Sequence, residues 1–183
     1  VDAVALLAVA DGCRSTAPGR GLVVAVGRLA DLDALEFAVL QRLAQQHGHV
    51  SAERVLSGPG LVDLYHALRD QHGSAAANVT EAAQVTALAL QQHDRLALEA
   101  LTLFAGWLGS VAGNLALTLG ARGGVYIGGG IVPRLGGWFA SSPFRQRFQG
   151  KGRFHEYLAP IPCWVIETAE PPALRGLARA LDG

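Results

Sequence analysis

The chain has 183 residues, of which 50% are hydrophobic and 16% are charged, and its 15 basic side chains balance its 15 acidic ones. Enough apolar surface is present to bury a sizeable core, which excludes a disordered segment. A general nucleic-acid or anionic-membrane binder would usually carry a basic excess, so both classes are disfavoured.

The chain shows no membrane or disulfide pattern at the level of sequence. Its longest uninterrupted apolar run, residues 3–10, is about half of the roughly 18 residues that a spanning helix needs, and it lacks a signal-peptide layout. Cys13 and Cys163 are far apart and form no CxxC spacing, which disfavours a zinc cluster or a disulfide framework. We therefore expect one soluble, cytoplasmic domain without a metal site of its own.

The first third of the chain predicts a strand and two helices. Leu22–Val26 is a β-branched run between two glycines and predicts a buried strand. From Asp33 to Gln46 apolar residues recur at helical spacing, and Gly48 marks the stop. Ser51 can cap a short helix that runs through Val55.

The middle of the chain predicts three more helices. Residues 58–60, Gly-Pro-Gly, predict a turn before an amphipathic helix, and residues 70–79 predict a surface loop. Thr80 is the expected N-cap of a helix to about Gln91, and a longer helix should run from Arg95 towards Leu119.

The long helix contains three glycines, Gly106, Gly109 and Gly113. Each costs roughly 1 kcal/mol relative to Ala inside a helix. Their presence predicts close packing against another backbone, within the chain or at a subunit contact.

The last third predicts two strands and two helices. Residues 123–127 form a second apolar strand, which Gly128, Gly129 and Gly130 end before a helix with Pro133 near its start. Residues 163–166 predict a third strand, before a terminal helix through residue 180. Strands separated by helices indicate an α/β fold.

The segment from Gly128 to Pro133 is the first candidate site. Consecutive glycines let a flat ligand or a phosphate approach the backbone, and the N-terminus of the following helix offers unpaired N–H groups. A tight turn that needs positive φ would use the same residues. The segment alone leaves both interpretations open.

Glu53 is the second candidate. It lies in the first turn of the short helix, where the helix dipole favours a carboxylate, so a purely structural role is open. Alternatively, its ionised oxygens could accept hydrogen bonds from sugar hydroxyls, with the Gly-Pro-Gly segment forming one wall of a cleft. His47 and His49 lie near a helix end, but without a third ligand they are expected to be solvated rather than metal-binding.

Taken in order, these motifs resemble the bacterial glucokinase family, the ATP-dependent, hexokinase-like enzymes of the actin and ribonuclease-H type fold. The resemblance runs through His49–Leu61, Gly113–Leu117, Gly123–Arg134, Lys151–Phe154 and Ile161–Pro162. It implies the large C-terminal lobe of that fold, a mixed sheet with flanking helices.

The resemblance also implies an activity. The γ-phosphoryl group of magnesium-ATP would be transferred to the 6-hydroxyl of glucose, at the entry to glycolysis. Glu53 would contact a glucose hydroxyl, and Gly128, Gly129, Gly130 and Pro133 would lie at the adenosine side of the nucleotide. Members of the family are usually homodimers. No nucleic-acid or membrane partner is implied.

Three elements of the family are not found in this sequence. The catalytic base is an Asp in an Asn-Asp-Phe segment of the small N-terminal lobe, which does not occur here, so no catalytic residue is assigned. A phosphate-binding turn and further sugar-binding side chains should lie between the first strand and Asp33, where only residues 27–32 stand.

We therefore expect residues 1–183 to form a single C-terminal lobe, without the N-terminal lobe and with a segment missing near residues 27–28. Two alternatives remain. One is a sugar- or nucleotide-binding or regulatory module without chemistry, because a cleft without its opposing lobe cannot exclude water. The other is an interaction protein that uses only its apolar helical face.

Overall fold

The structure, a computed structural model, describes the backbone of residues 6–9 and residues 32–74 and 78–167. Three strands are present in these ranges: β1 (Leu6–Val9), β2 (Val125–Gly128) and β3 (Cys163–Val165). The α-helices are α1 (Ala34–His47), α2 (Ala52–Val55), α3 (Gly58–His72), α4 (Ala82–Leu90), α5 (Arg95–Leu119), α6 (Gly137–Ser141), α7 (Phe144–Gln149) and α8 (His155–Leu158). Two 3₁₀ helices span Val132–Leu135 and Gly152–Phe154. The strand predicted at 22–26, the expected deletion near 27–28 and the terminal helix lie outside the described residues.

The strands form one mixed sheet in the order β1-β2-β3. β1 runs antiparallel to β2, with Leu6 opposite Gly128, and β3 runs parallel to β2, with Cys163 opposite Val125. A mixed sheet with flanking helices agrees with the expected α/β layout. The strand β1 was not predicted, because its run of apolar residues has no periodicity that separates a strand from a helix.

Helices α1 and α2 are both capped by side chains, and the Ser51 cap of α2 was predicted. The Asp33 carboxylate accepts from the Glu36 N–H at 2.8 Å, and the Glu36 carboxylate accepts from the Asp33 N–H at 2.9 Å, which completes a capping box. The Ser51 hydroxyl accepts from the Arg54 N–H at 3.1 Å and caps α2. The predicted stop at Gly48 is also confirmed.

Helix α3 is longer at both ends than predicted. It begins at Gly58, so the predicted turn at residues 58–60 was wrong: Pro59 occupies the first turn, where no intrahelical N–H bond is lost. The Ser57 hydroxyl caps it by accepting from the Gly60 N–H at 3.1 Å. The loop expected from residue 70 starts later, because the helix continues to His72 and ends at Gly73 in the left-handed conformation.

Helix α4 begins one residue later than a Thr80 cap requires. Its N-cap is Glu81, because the side chain of Gln84 accepts from the N–H groups of both Thr80, at 2.8 Å, and Glu81, at 3.0 Å. A glutamine at the third helical position therefore satisfies the donors that a threonine cap would have left to solvent.

Helix α5 is the centre of the core and has the predicted bounds, with Asp94 as its cap. Its length and mean hydropathy of 1.4 would allow a membrane span, but 72% of that apolar window is buried inside the chain. Helices α3, α4 and α7 cover it. We therefore interpret α5 as a core helix.

Two of the three glycines of α5 pack against the backbone of α7, which confirms the predicted close approach at those two positions. Gly109 lies against the backbone carbonyl of Phe144 and Gly113 against that of Phe148, and in both places a Cβ atom would overlap the carbonyl oxygen. Gly106 faces only side chains, at ordinary contact distance. The close approach is therefore within the chain.

A buried carboxylate joins three helices. Glu36 of α1 is only 5% exposed. Its Oε1 accepts from the Trp107 indole N–H of α5 at 2.8 Å and from the Arg147 guanidinium of α7 at 2.7 Å. The start of α1 is thus fixed against the α5–α7 pair.

Candidate functional site

A cleft of about 520 Å³ lies where the turn after β2 meets the N-terminal ends of α3 and α4. The cleft residues are Gly58, Pro59, Val62 and Asp63 from α3, Thr80, Glu81, Ala82 and Ala83 from the start of α4, and Gly130, Ile131 and Arg134 after β2. The two segments that the sequence singles out, Gly-Pro-Gly and Gly-Gly-Gly, therefore contribute to one cleft.

The turn after β2 requires a glycine for its backbone conformation and also lies beside the cleft. Gly128 is the last residue of β2 and is buried. Gly129 has φ of 118°, which L side chains rarely adopt, so the turn itself needs a glycine. Gly130 lines the cleft. Pro133 lies in the first turn of the following 3₁₀ helix and is not among the cleft residues.

Glu53 lies outside the cleft lining but on the element next to it. It is exposed on α2 and makes no hydrogen bond or ion pair with the described part of the chain. Its helix is seated on α3, because Gly60 packs directly under the Arg54 carbonyl and leaves no space for a Cβ atom. Since Ser51 supplies the cap of α2, the Glu53 carboxylate is available to a ligand.

One carboxylate of the cleft is held from behind by a histidine. The Nε2 atom of His47 lies 2.8 Å from Oδ2 of Asp63, and the two side chains are only 17% and 18% exposed. The expectation that His47 is a solvated surface residue was therefore wrong: the packing of α1 on α3 brings it to Asp63. His49 is exposed, as expected.

The wall formed by the start of α4 is held to α3 by a second histidine. The Nε2 atom of His66 lies 2.7 Å from the carbonyl oxygen of Val79, and that oxygen can only accept, so Nε2 carries the proton. Val79 is buried and directly precedes the cleft residues Thr80 and Glu81. This bond fixes the position of that wall.

The ionisable groups of the cleft have mixed signs. Asp63 and Glu81 are acidic, and Arg134 is basic. The Arg134 side chain is exposed and makes no hydrogen bond or ion pair within residues 32–74 and 78–167. In the same ranges no group of three or more His, Cys, Asp or Glu side chains could hold a metal ion.

Several cleft residues carry no sequence signal that would mark them as part of a binding site. Asp63 occupies a polar position of an amphipathic helix, and Thr80 and Glu81 read as capping residues only. They become cleft residues because α3 and α4 start at the same end of the core, beside the turn after β2.

Comparison with known proteins gives consistent matches. Residues 5–183 match the Glucokinase family. A glucokinase of Aromatoleum aromaticum is 57% identical over 147 residues, covering 80% of this chain and 44% of that protein. A bifunctional protein glk of Burkholderia thailandensis is 52% identical over 154 residues, covering 83% of this chain and 23% of that protein.

A solved structure agrees with the sequence relatives. The crystal structure of a glucokinase from an Antarctic psychrotroph superimposes with a TM-score of 0.74 at 34% identity, over 88% of this chain and 49% of that one. The chain thus spans less than half the length of these relatives. Because the family match covers nearly the whole chain, the chain belongs to the glucokinase family.

Proposed function

We propose that this chain is part of an ATP-dependent glucokinase, which transfers the γ-phosphoryl group of ATP to the 6-hydroxyl of glucose in the cytoplasm. The observation that carries the proposal is the cleft beside Gly130, in a chain that matches the Glucokinase family over residues 5–183. The product would be glucose 6-phosphate, the entry to glycolysis.

The cleft suits the adenosine side of the nucleotide. Its volume of about 520 Å³ is within the range of small-molecule sites. Gly58, Pro59, Gly130 and Ile131 offer a surface without long side chains, against which a flat base can lie. Gly128, Gly129 and Pro133 would support this surface by fixing the turn.

Glu53 would bind glucose. Its carboxylate is exposed and unpaired in the described residues, and a carboxylate only accepts hydrogen bonds, which matches the hydroxyl donors of a sugar. Its helix precedes the cleft wall directly, so sugar and nucleotide would bind on neighbouring elements.

Phosphoryl transfer depends on positioning and charge neutralisation, together with a group that accepts the proton of the attacking hydroxyl. We assign no such base here, since the sequence contains no Asn-Asp-Phe segment. Mg²⁺ would enter with ATP as the substrate complex, and no described residue is assigned to it. A homodimer remains a prediction.

A sugar- or nucleotide-binding module without chemistry is the second candidate. It would use the same cleft beside Gly130. Such a module would bind glucose or ADP without forming glucose 6-phosphate.

The proposal is tested with the purified full-length protein, whose intact mass is determined first. Glucose 6-phosphate formation is followed in a coupled assay, and ADP binding is measured by calorimetry. Ala83→Trp would fill the cleft from α4 and should weaken ADP binding at least tenfold. Ala44→Trp is the matched control, because Ala44 is an exposed helical residue outside the cleft.

The outcomes separate the two candidates. Saturable binding without product supports the module. If the protein shows no binding and forms no product, both candidates are contradicted. If the two tryptophan variants bind ADP equally, the proposed position of the nucleotide is contradicted.

A further inference from the structure

We infer that Asp63, held in place by His47, binds the ribose hydroxyls of the nucleotide and makes the protein discriminate against deoxynucleotides. This inference rests on the proposed function, since it requires a nucleotide in the cleft. Asp63 would be the specificity-determining residue, and His47 a positioning residue that acts through it.

Asp63 lies on the wall of the cleft that α3 forms. It lies four residues after Pro59 on α3, so the two residues share one face of the helix, and both line the cleft. Its side chain is 18% exposed, so it is largely withdrawn from bulk water while still reaching the cleft. A hydrogen bond made there competes less with solvent than one on an open surface.

The two carboxylate oxygens of Asp63 have different surroundings. His47 Nε2 lies 2.8 Å from Oδ2, and because a carboxylate only accepts, Nε2 is the donor. Oδ1 has no partner among the described residues, so it is left for a ligand. Since the histidine fixes the carboxylate, little side-chain freedom is lost when a ligand binds.

The hydrogen-bonding groups of the nucleotide favour the ribose as the partner of Asp63. The ribose diol presents two adjacent hydroxyl donors. Adenine has one donor group, its exocyclic amine, while its ring nitrogens only accept and the phosphates carry negative charge. A contact with the amine, unlike one with the diol, would be unaffected by removal of a ribose hydroxyl. An ionised Asp63 therefore pairs well with the ribose and repels the phosphates. Carboxylates bind ribose hydroxyls in the same way in dinucleotide-binding folds. Arg134, in the same cleft, is available for anionic parts of the nucleotide.

The test compares ADP with 2′-deoxy-ADP and 3′-deoxy-ADP by calorimetry on the full-length protein. We expect the unaltered protein to bind at least one deoxy form about tenfold or more weakly, the loss that follows from removing a hydrogen bond to a charged group. Asp63→Ala should bind all three ligands with nearly equal dissociation constants. Asp70→Ala is the matched control, because Asp70 is an exposed aspartate near the end of the same helix, outside the cleft.

The role of His47 is tested in the same assay. His47→Ala should lose most of the discrimination between ADP and the deoxy forms, whereas His47→Gln, which keeps an N–H donor, should restore part of it. A residue that only stabilised the fold would change the melting temperature without changing this ratio of dissociation constants.

Three results would overturn the inference. The first is an unaltered protein that binds ADP and both deoxy forms equally, which needs no variant and so does not depend on the folding of one. The second is full discrimination in Asp63→Ala. The third is a loss of glucose affinity in Asp63→Ala with discrimination intact, which would place Asp63 at the sugar.

Failure of the proposed function would give a different result from failure of the inference about Asp63. If the unaltered protein neither binds ADP nor forms glucose 6-phosphate, the proposed function fails and this inference fails with it. If glucose 6-phosphate forms normally and the deoxy forms bind as ADP does, only the inference about Asp63 fails.

Discussion

The carbonyl oxygen of Phe144 occupies the space in which a Cβ atom on Gly109 would stand. Helices α5 and α7 can therefore approach to backbone contact only where α5 has no side chain. The three glycines of α5 lie along one side of it, but they do not all carry this contact. A Cβ atom added at Gly106 would meet only side chains, those of Pro143 and Arg147, at 3.8 and 3.7 Å.

This difference predicts opposite results for two similar substitutions. Gly109→Ala should destabilise the protein by about 1–3 kcal/mol, because the added methyl group has to push α7 away. Gly106→Ala should be neutral or stabilise it by up to about 1 kcal/mol, because the new Cβ fits and Ala favours the helix. The free energy of unfolding in urea measures both, and equal losses in the two variants would contradict the packing described.

Glu36→Gln should destabilise the protein by about 1.5–3 kcal/mol, the usual contribution of hydrogen bonds to a charged group. The substitution keeps the shape of the side chain but removes the charge opposite Arg147 and leaves an amide where the carboxylate accepted from Trp107. Glu99→Gln is the control, because Glu99 faces His72 at the surface and should cost much less. Thermal unfolding of the two variants compares them, and a neutral Glu36→Gln would argue against the three-helix contact.

Glu53→Ala should raise the KM for glucose strongly and leave ATP binding nearly unchanged, in keeping with the proposed sugar contact. The melting temperature should stay within a degree or two, because the side chain is exposed and has no partner in the described residues. Steady-state kinetics with each substrate varied in turn provides the measurement. An unchanged KM for glucose would remove Glu53 from the sugar site.

The pKa of Asp70 should lie below the ordinary value of Asp, chiefly because Arg42 donates a hydrogen bond to its carboxylate and also because Arg69 does. A lowered pKa in the folded state stabilises the fold above the pKa of the unfolded chain, about 3.9, and this contribution is lost as the pH falls through the folded-state value. Arg42→Ala should move the Asp70 pKa upwards and reduce stability more at pH 6 than at pH 2.

The pKa of Asp70 is read from an NMR titration of its carboxyl carbon. Arg95→Ala is the control, because Arg95 is exposed at the start of α5 and makes no side-chain contact with Asp70 in the described residues. The effect on stability should be small, since the Asp70 side chain is 34% exposed to solvent. A folded-state pKa at or above the ordinary value would contradict the arrangement.

The helices follow from the sequence where a local signal is complete. The bounds of α5 are predictable because its apolar spacing persists from Arg95 to Leu119 and Gly120 ends it in the left-handed conformation. The start of α3 is not predictable in this way, because proline breaks the interior of a helix but is accepted in its first turn. Only the Ser57 cap shows that Pro59 lies in the first turn. The cap of α4 is set by a side chain three residues inside the helix.

The candidate site is only half visible in the sequence. Gly58, Pro59 and Gly130 can be singled out separately, since glycine and proline have local meanings. Their meeting in one cleft, and the pairing of His47 with Asp63, depend on how α1, α3 and α4 pack around the core. That packing is set by contacts distant in sequence, which a search along the chain does not show.

The pairing of β1 with β2 has a consequence for the order of folding. The hydrogen-bond partners of residues 6–9 are Val125–Gly128, about 120 residues further along the chain, so a nascent chain emerging from the ribosome cannot complete this ladder until most of the helical core has been synthesised. Contacts of such high sequence separation form slowly, because a large loop has to close first. We therefore expect the helical core to form before the sheet does. During translation the backbone N–H and C=O groups of β1 would stay without their β2 partners until β2 has been synthesised.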